Sequence, residues 1–463
     1  QAKDQTMGTA RTQTKAPGSI RAEVTFGNGQ IISAASPSSA WVSGLDSQLR
    51  TLTGAEADAA KLRSLLDASR LVDYKKLNVM ARVVSLGDFA ADPAYVVEFS
   101  TRNRARLRYW FSANSKLLVK IEDEARKITT RFADYRVAVP TSNVLEPHQV
   151  SFITDGSGEL TLALQGVTYN TSIPDTVFNP PVAAEALDVA ALLREVGRNQ
   201  DLVEKRVSEY AFMQKETDRE ISSKGELKKE TSKVYEVFPM ANREPIMKLI
   251  SENGVVLSAE RAAKESKRVE EELLKAERDR DKNEQRVERR RAERRRKAAK
   301  GEGEGDDDPD LSQFLKICEF VSPRRERFRD RNAVVFDFRP RPGFKPSNRE
   351  ESLISKLVGV VWIDPIDKQV MRLEARLAES FKMGGGLLLS LRPGAGFAIE
   401  QTRMEEGVWL PRLAQVNLSV KVLLFGGGDI NKTIEWSDYK HFKGDVGDYQ
   451  LGPPKPAEAE KKP

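Results

Sequence analysis

The chain is poor in the side chains that most often do chemistry. Its 463 residues hold two histidines, His148 and His441, and one cysteine, Cys318. A histidine-rich metal site is thereby excluded, and any Ser-His-Asp or Cys-His arrangement would have to use one of those two imidazoles. A single cysteine closes no internal disulfide, and this leaves the compartment open. No run of about 18 or more apolar residues occurs, which excludes a transmembrane helix. Gly-x-Ser-x-Gly, His-Glu-x-x-His and Cys-x-x-Cys are all missing. The glycine runs at 384–386 and 426–428 do not lead into a helix with Lys-Ser/Thr, so neither is a phosphate loop; they read as kinks joining curved strands.

What the chain has is length and alternation. At 463 residues it can form two or three sizeable cores. The stretch Val360-Val361-Trp362-Ile363-Asp364-Pro365-Ile366-Asp367-Lys368-Gln369-Val370-Met371-Arg372-Leu373-Glu374 reads as a β-hairpin turning on Asp-Pro and Asp. A second stretch, Trp110 to Glu122, repeats it. Trp110, Lys116 and Glu122 fall in register with Trp362, Lys368 and Glu374, and Leu118 to Ile121 align with Val370 to Leu373. The chain therefore reads as two related β-rich halves.

Residues 1–19 are polar, lack periodicity and are expected to be disordered. The first half is expected over 20–181. Strands are predicted at 22–26, 30–34, 79–86, 95–100, 106–111, 116–122, 128–137, 149–154 and 159–169, with a capped helix from Thr53 to about Ala68. Prolines at 173–181 close it. The second half is expected over 182–446. It opens with an amphipathic helix at 187–205, followed by hairpin strands at 210–221, 227–238, 246–250 and 255–257. A short helix at 311–320, holding Cys318 as a buried thiol, and a basic loop at 323–331 precede the strand 333–338. A capped helix with Leu353, Ile354, Leu357 and Val358 inward is predicted to end at Gly359. Strands at 387–391, 397–403, 409–411, 415–425 and 432–439 complete the half. Within it, 258–309 reads as an inserted helix, charged nearly throughout beyond Ala276, with an acidic linker. Residues 447–463 form a disordered tail.

Taken in order, several segments resemble the LolA/LolB-like lipoprotein-carrier superfamily. They are Val361-Trp362-Ile363-Asp364-Pro365, Glu406-Gly407-Val408-Trp409-Leu410-Pro411 and Trp436-Ser437-Asp438-Tyr439-Lys440-His441-Phe442. Phe132 to Arg136, Leu145-Glu146-Pro147 and Tyr169 to Phe178 form a weaker set in the first half. The wording of the chain is also similar to that of secreted acidobacterial proteins. The resemblance implies a β-rich α+β fold: two curved antiparallel half-barrels with plugging helices, plus a long charged helical insertion in the second. It implies acyl chains held in a concavity, with 347–358 as plug. The insertion and the presence of two copies depart from the family pattern.

The expected function is non-catalytic lipid or lipoprotein binding, without cofactor or metal, in the periplasm or on the outer-membrane or extracellular side after removal of a signal peptide. The candidate cavity residues are Phe338, Leu353, Leu357, Trp362 and Trp409; for the tryptophans, packing in a curved sheet stands as the other reading. Arg289, Arg290, Arg291, Arg294, Arg295, Arg296, Arg324, Arg325 and Arg327 are candidates for binding a protein partner or anionic headgroups. No aromatics interleave the 286–300 stretch, which disfavours nucleic acid. The alternative function is a scaffold subunit of an envelope assembly, docking through 258–309.

Overall fold

The computed structural model describes residues 8–278, 314 and 316–441, apart from breaks at 69–70, 102–104, 141–142, 156–157, 183–187, 208, 223–226, 241–244, 384–388, 406 and 423–425. Three antiparallel sheets make up most of it, none of them a closed barrel.

The first sheet is a five-stranded meander of β1 (Gly8–Lys15), β2 (Ser19–Phe26), β3 (Gly29–Ala35), β4 (Ala40–Ser43) and β5 (Leu49–Thr51). The strand at 8–15 corrects the expectation of a disordered start. Its sequence, GTARTQTK, has no apolar alternation and is largely exposed. The strand is held by its ladder to β2, from Gly8 opposite Phe26 to Lys15 opposite Ser19.

Helix α1 (Gly54–Asp67) follows. The Thr53 side chain does not cap it; Glu56 instead takes Arg50 at 2.6 Å. A second meander runs through β6 (Met80–Phe89), β7 (Asp92–Ser100), β8 (Arg106–Ser112), β9 (Leu118–Asp123), β10 (Ile128–Val137), β11 (Leu145–Thr154) and β12 (Gly158–Ala163), paired in that sequence. The region expected as one sheet is thus two sheets with a helix between. A short 3₁₀ turn ends it, where buried Phe178 gives its carbonyl to the Trp41 indole at 3.0 Å.

The third sheet has 13 strands. Helix α2 (Val189–Val207) leads into β13 (Tyr210–Ile221), β14 (Leu227–Phe238), β15 (Ile246–Glu252) and β16 (Val255–Val256). Helix α3 (Ala259–Arg278) starts the charged segment and packs Val269 against Phe238 and Ile246. Then come β17 (Cys318–Phe328), β18 (Arg331–Pro340), helix α4 (Arg349–Ile354), β19 (Leu357–Asp364), β20 (Gln369–Leu377), β21 (Phe381–Met383), β22 (Leu389–Leu391), β23 (Gly396–Arg403), β24 (Trp409–Val422) and β25 (Gly426–His441). The continuous path is β16-β15-β14-β13-β25-β24-β23-β20-β19-β18-β17.

Two readings of this region are corrected. Cys318 begins a strand rather than ending a helix, and the basic loop is largely β17. Gly359 lies inside β19, not at a helix end. It is glycine because a Cβ there would collide with the Glu374 carbonyl oxygen of the neighbouring strand and sit 2.6 Å from the Phe338 ring. Asn348 caps α4. Asn348 accepts from the Glu351 amide at 2.8 Å, and Glu351 reaches back to the Ser347 amide at 2.7 Å. Those Ser347 bonds, and Lys316 beside them, hold the Glu351 carboxyl down to about 2.

Candidate functional site

The two hairpins carry matching residues at matching register points. In the third sheet Val335 faces Trp362, Trp362 faces Arg372, and a bulge follows between Trp362 and Ile363. In the second sheet Val96 faces Trp110, Trp110 faces Lys120, and a bulge follows between Trp110 and Phe111. Counting back along β7 and β18 places Glu98 with Asp337 and Phe99 with Phe338. The next strands out, β6 and β17, break register across from this point as well.

Helices cover one face of each sheet, but unequally. In the third sheet Phe338, Ile354, Leu357 and Leu377 close into one core with half-buried Leu353 against it. Beside it Val334, Phe336, Val361 and Ile363 lie under Leu192, Leu193 and Val196 of α2. Val334 pairs with Ile363, and Ile363 with Val370, so these three form a row across the sheet. In the second sheet α1 sets Leu62 and Leu66 on Phe99, Leu107, Tyr109 and Ile121. The row corresponding to Val334, Ile363 and Val370 is Tyr95, Phe111 and Leu118.

That row is not sealed. Tyr95 is 43% exposed, against 1% for Val334; Phe111 and Leu118 are half-buried. On β6, Leu86 pairs with Tyr95 and Val83 with Val97, and both Leu86 and Val83 are 62% exposed. On the far side, Phe132, Val150 and Leu162 continue the same face across three strands, all half-buried. The result is an apolar strip across the sheet, open to water. Its rim is polar. The Lys116 ammonium stands 5.7 Å from the Tyr95 ring. The Tyr135 hydroxyl donates to the Leu118 carbonyl at 2.6 Å, and burial pushes it up to about 12.

The five cavity residues expected from sequence do not line one concavity. Phe338, Leu353 and Leu357 belong to the core under α4. Trp362 and Trp409 lie on the opposite face of the sheet, packed with Val335, Val360 and Met371. They point there because side chains alternate along a strand, and residues 360 and 362 are out of phase with 357. The Trp409 indole donates to Asp367 at 3.0 Å, and Arg403 and Arg331 bind the same carboxylate. Asp364 takes the Ile366 and Asp367 amides, both at 2.8 Å. These carboxylates build the turn.

The basic candidates divide as well. Arg324 is 1% exposed and does not face solvent. Its guanidinium donates to Glu326 at 2.8 Å and to Thr51 at 3.0 Å, and it stands 2.8 Å from Asp337. Asp337 also accepts from Ser39 at 2.7 Å. This buried network ties the first sheet to the third. Arg325 and Arg327 are exposed on β17. Arg289, Arg290, Arg291, Arg294, Arg295 and Arg296 lie outside the described residues. Cys318 is buried, and desolvation pushes its thiol up to about 12.

The open apolar strip was missed in the sequence. Its signal was the apolar group Val83, Val84 and Leu86 in a strand whose sheet had one short helix to cover it. Among the described residues no group of three His, Cys, Asp or Glu side chains could hold a metal, and no helix is long and apolar enough to cross a membrane.

No protein-family model and no curated protein matches the chain. Solved structures do. One is a putative outer membrane lipoprotein-sorting protein domain from Vibrio parahaemolyticus, 12% identical over 38% of this chain and 81% of that one, with a TM-score of 0.25. A DUF1329 family protein from Desulfovibrio piger is 12% identical over 37% of this chain and 80% of its own, at 0.25. A LolA superfamily protein from Nitrosomonas europaea is 14% identical over 37% and 88%, at 0.22.

Proposed function

We propose that the chain is a non-catalytic binding protein of the cell envelope. It holds an acyl chain, free or attached to a lipidated protein, on the apolar strip of the second sheet. We infer further that the sheet-and-helix unit occurs twice, with one copy open and one packed shut. The observation that carries this is the row Tyr95, Phe111 and Leu118, exposed at Tyr95 and half-buried at the edge of the α1 core, where Val334, Ile363 and Val370 lie under α2. An acyl chain would take the place that α2 takes in the other unit. Each buried methylene contributes about 0.8 kcal/mol, so roughly six of them give about 5 kcal/mol before the costs of association. Lys116 at the rim suits an acidic headgroup or carboxylate.

The test is titration of the full chain with cis-parinaric acid, a fluorescent fatty acid. Saturable binding that palmitate displaces and that Leu86→Asp abolishes is expected. Absence of saturable binding to folded protein, or binding that Leu86→Asp leaves intact, would refute the assignment.

A further inference from the structure

A cavity lies away from the apolar strip. Helix α1 turns Leu62 and Leu66 to the second sheet but Asp58 and Lys61 toward the third. Between α1 and that sheet opens a cleft of about 1170 Å³, walled by Arg106 and Glu124 on one side and by Arg412, Gln415, Asn417 and Thr433 on the other. At its inner end a recess of about 70 Å³ is lined by Asp58, Lys61, Arg372, Glu374 and Arg376. Gly54, Asp58, Gln415 and Asn417 line both, so the recess adjoins the cleft.

Most charges there are already engaged. Arg372 binds Glu374 at 2.7 Å and Glu400 at 2.7 Å. Glu400 also takes Arg329 and Arg412. Glu374 accepts the Gly54 amide at 3.3 Å. Lys61 donates to the Ser38 carbonyl at 3.2 Å. Two groups are left over: among the described residues, neither the Asp58 carboxylate nor the Arg376 guanidinium makes a hydrogen bond or an ion pair. Opposite charges act on both from beyond contact distance, Lys61 and Arg376 on Asp58, and Asp58 and Glu374 on Arg376, and both groups are half-buried. Burial pushes the Asp58 carboxyl up to about 6, the response of a carboxylate short of solvation.

A partly desolvated charge that makes no hydrogen bond or ion pair is costly. A lone anion at Arg376 would meet Asp58 and Glu374, and a lone cation at Asp58 would meet Arg376 and Lys61. A ligand bearing both charges satisfies both groups at once. We propose that the recess binds a primary-ammonium zwitterion, its carboxylate or phosphate on Arg376 and its ammonium on Asp58. The remainder of the ligand lies in the wide cleft against Gln415 and Asn417. A free amino acid, a short peptide and an ethanolamine phosphodiester headgroup share this chemistry.

The experiment is calorimetric titration of the full chain with glycine, diglycine, L-glutamate and glycerophosphoethanolamine, and with acetate, methylamine and inorganic phosphate as single-charge probes. At least one zwitterion should bind, and at least tenfold more tightly than any single-charge probe; which one binds separates amino acid from headgroup. Asp58→Asn, which keeps the side-chain shape, and Arg376→Lys should each weaken it tenfold or more with thermal unfolding still cooperative. Failure of every zwitterion would overturn the proposal. So would phosphate binding as tightly as the zwitterions, or zwitterion affinity unchanged in folded Asp58→Asn. Leu86→Asp should leave this binding unaltered, so the outcome is read separately from that of the apolar strip.

Discussion

The Trp110 and Trp362 hairpins share a register, a bulge position and a partner charge across the ladder, yet one tryptophan is half-exposed and the other is completely buried. The difference comes from what was laid over each sheet. Around Trp362 the ladder is covered on both faces: α2 and α4 lie on one, and β4 and β5 reach the other through Ser39 and Thr51. Around Trp110 the corresponding carboxylate, Glu98, is buried but is met by Arg82 and Arg108, whose side chains are both partly exposed, and Lys120 stands 3.5 Å over the indole. Similar strands thus serve as a sealed core in one place and an open surface in the other. Coverage, not strand sequence, decides whether a sheet face is free to hold a ligand.

Paired substitutions probe this contrast. The largest effect is expected at the covered row. Val334→Asp buries an unpaired carboxylate and should cost more than about 4 kcal/mol, whereas Tyr95→Asp at the matching exposed site should cost less than about 1 kcal/mol. Urea denaturation of both variants measures it; equal losses would mean that the Tyr95 row is as buried as its counterpart.

Next come the ion pairs of the matching carboxylates, Asp337 and Glu98. Arg324→Ala strands Glu326 and Asp337 in the interior and should cost about 3 kcal/mol. Arg82→Ala, at a pair whose arginine side chain is 41% exposed, should cost under about 1 kcal/mol. Similar melting shifts for the two would contradict the difference in burial.

A smaller, pH-dependent effect is expected at Asp58, on the helix between the two sheets. Its carboxyl is raised from 3.8 to about 6 in the fold, by burial first. Above pH 6 the group is charged in both states and only the folded one bears the desolvation. As pH falls from 6 toward 4 the folded form takes up the proton first, and the cost disappears. Asp58→Asn should therefore be more stable than wild type by about 2 kcal/mol at pH 8, with the gap closing near pH 4. A gap constant with pH would show that this carboxyl is not perturbed.

The smallest effect is expected from Leu86→Ser, which exposes no new surface and should leave stability within about 0.5 kcal/mol while weakening fatty-acid binding.

The strands were legible because alternation is local. Both hairpins and the meander from Met80 to Ala163 follow from period-two patterns and turn residues, α1 and α2 from apolar stripes at helical spacing, and the observed ends differ by up to about six positions. What was not legible depends on partners far away in the chain. β1 has nothing apolar to mark it and exists through its ladder with β2. Arg324 and Glu326 read as a solvated basic loop because the hydroxyl that completes their network, Thr51, lies 273 residues from Arg324. Trp362 and Trp409 read either as cavity residues or as packing in a curved sheet; they pack, on the face away from the plug. The open strip depends on a missing cover, and no residue encodes that by itself.

The central claim is that hydrocarbon occupies the row Tyr95, Phe111 and Leu118 where α2 covers the other unit. Its most direct test is mass spectrometry of lipids extracted from gently purified wild-type and Tyr95→Asp protein. A stoichiometric acyl-chain lipid from the wild type, absent from a folded Tyr95→Asp, is the result expected; a lipid-free wild type, or the same lipid retained by the variant, would contradict it.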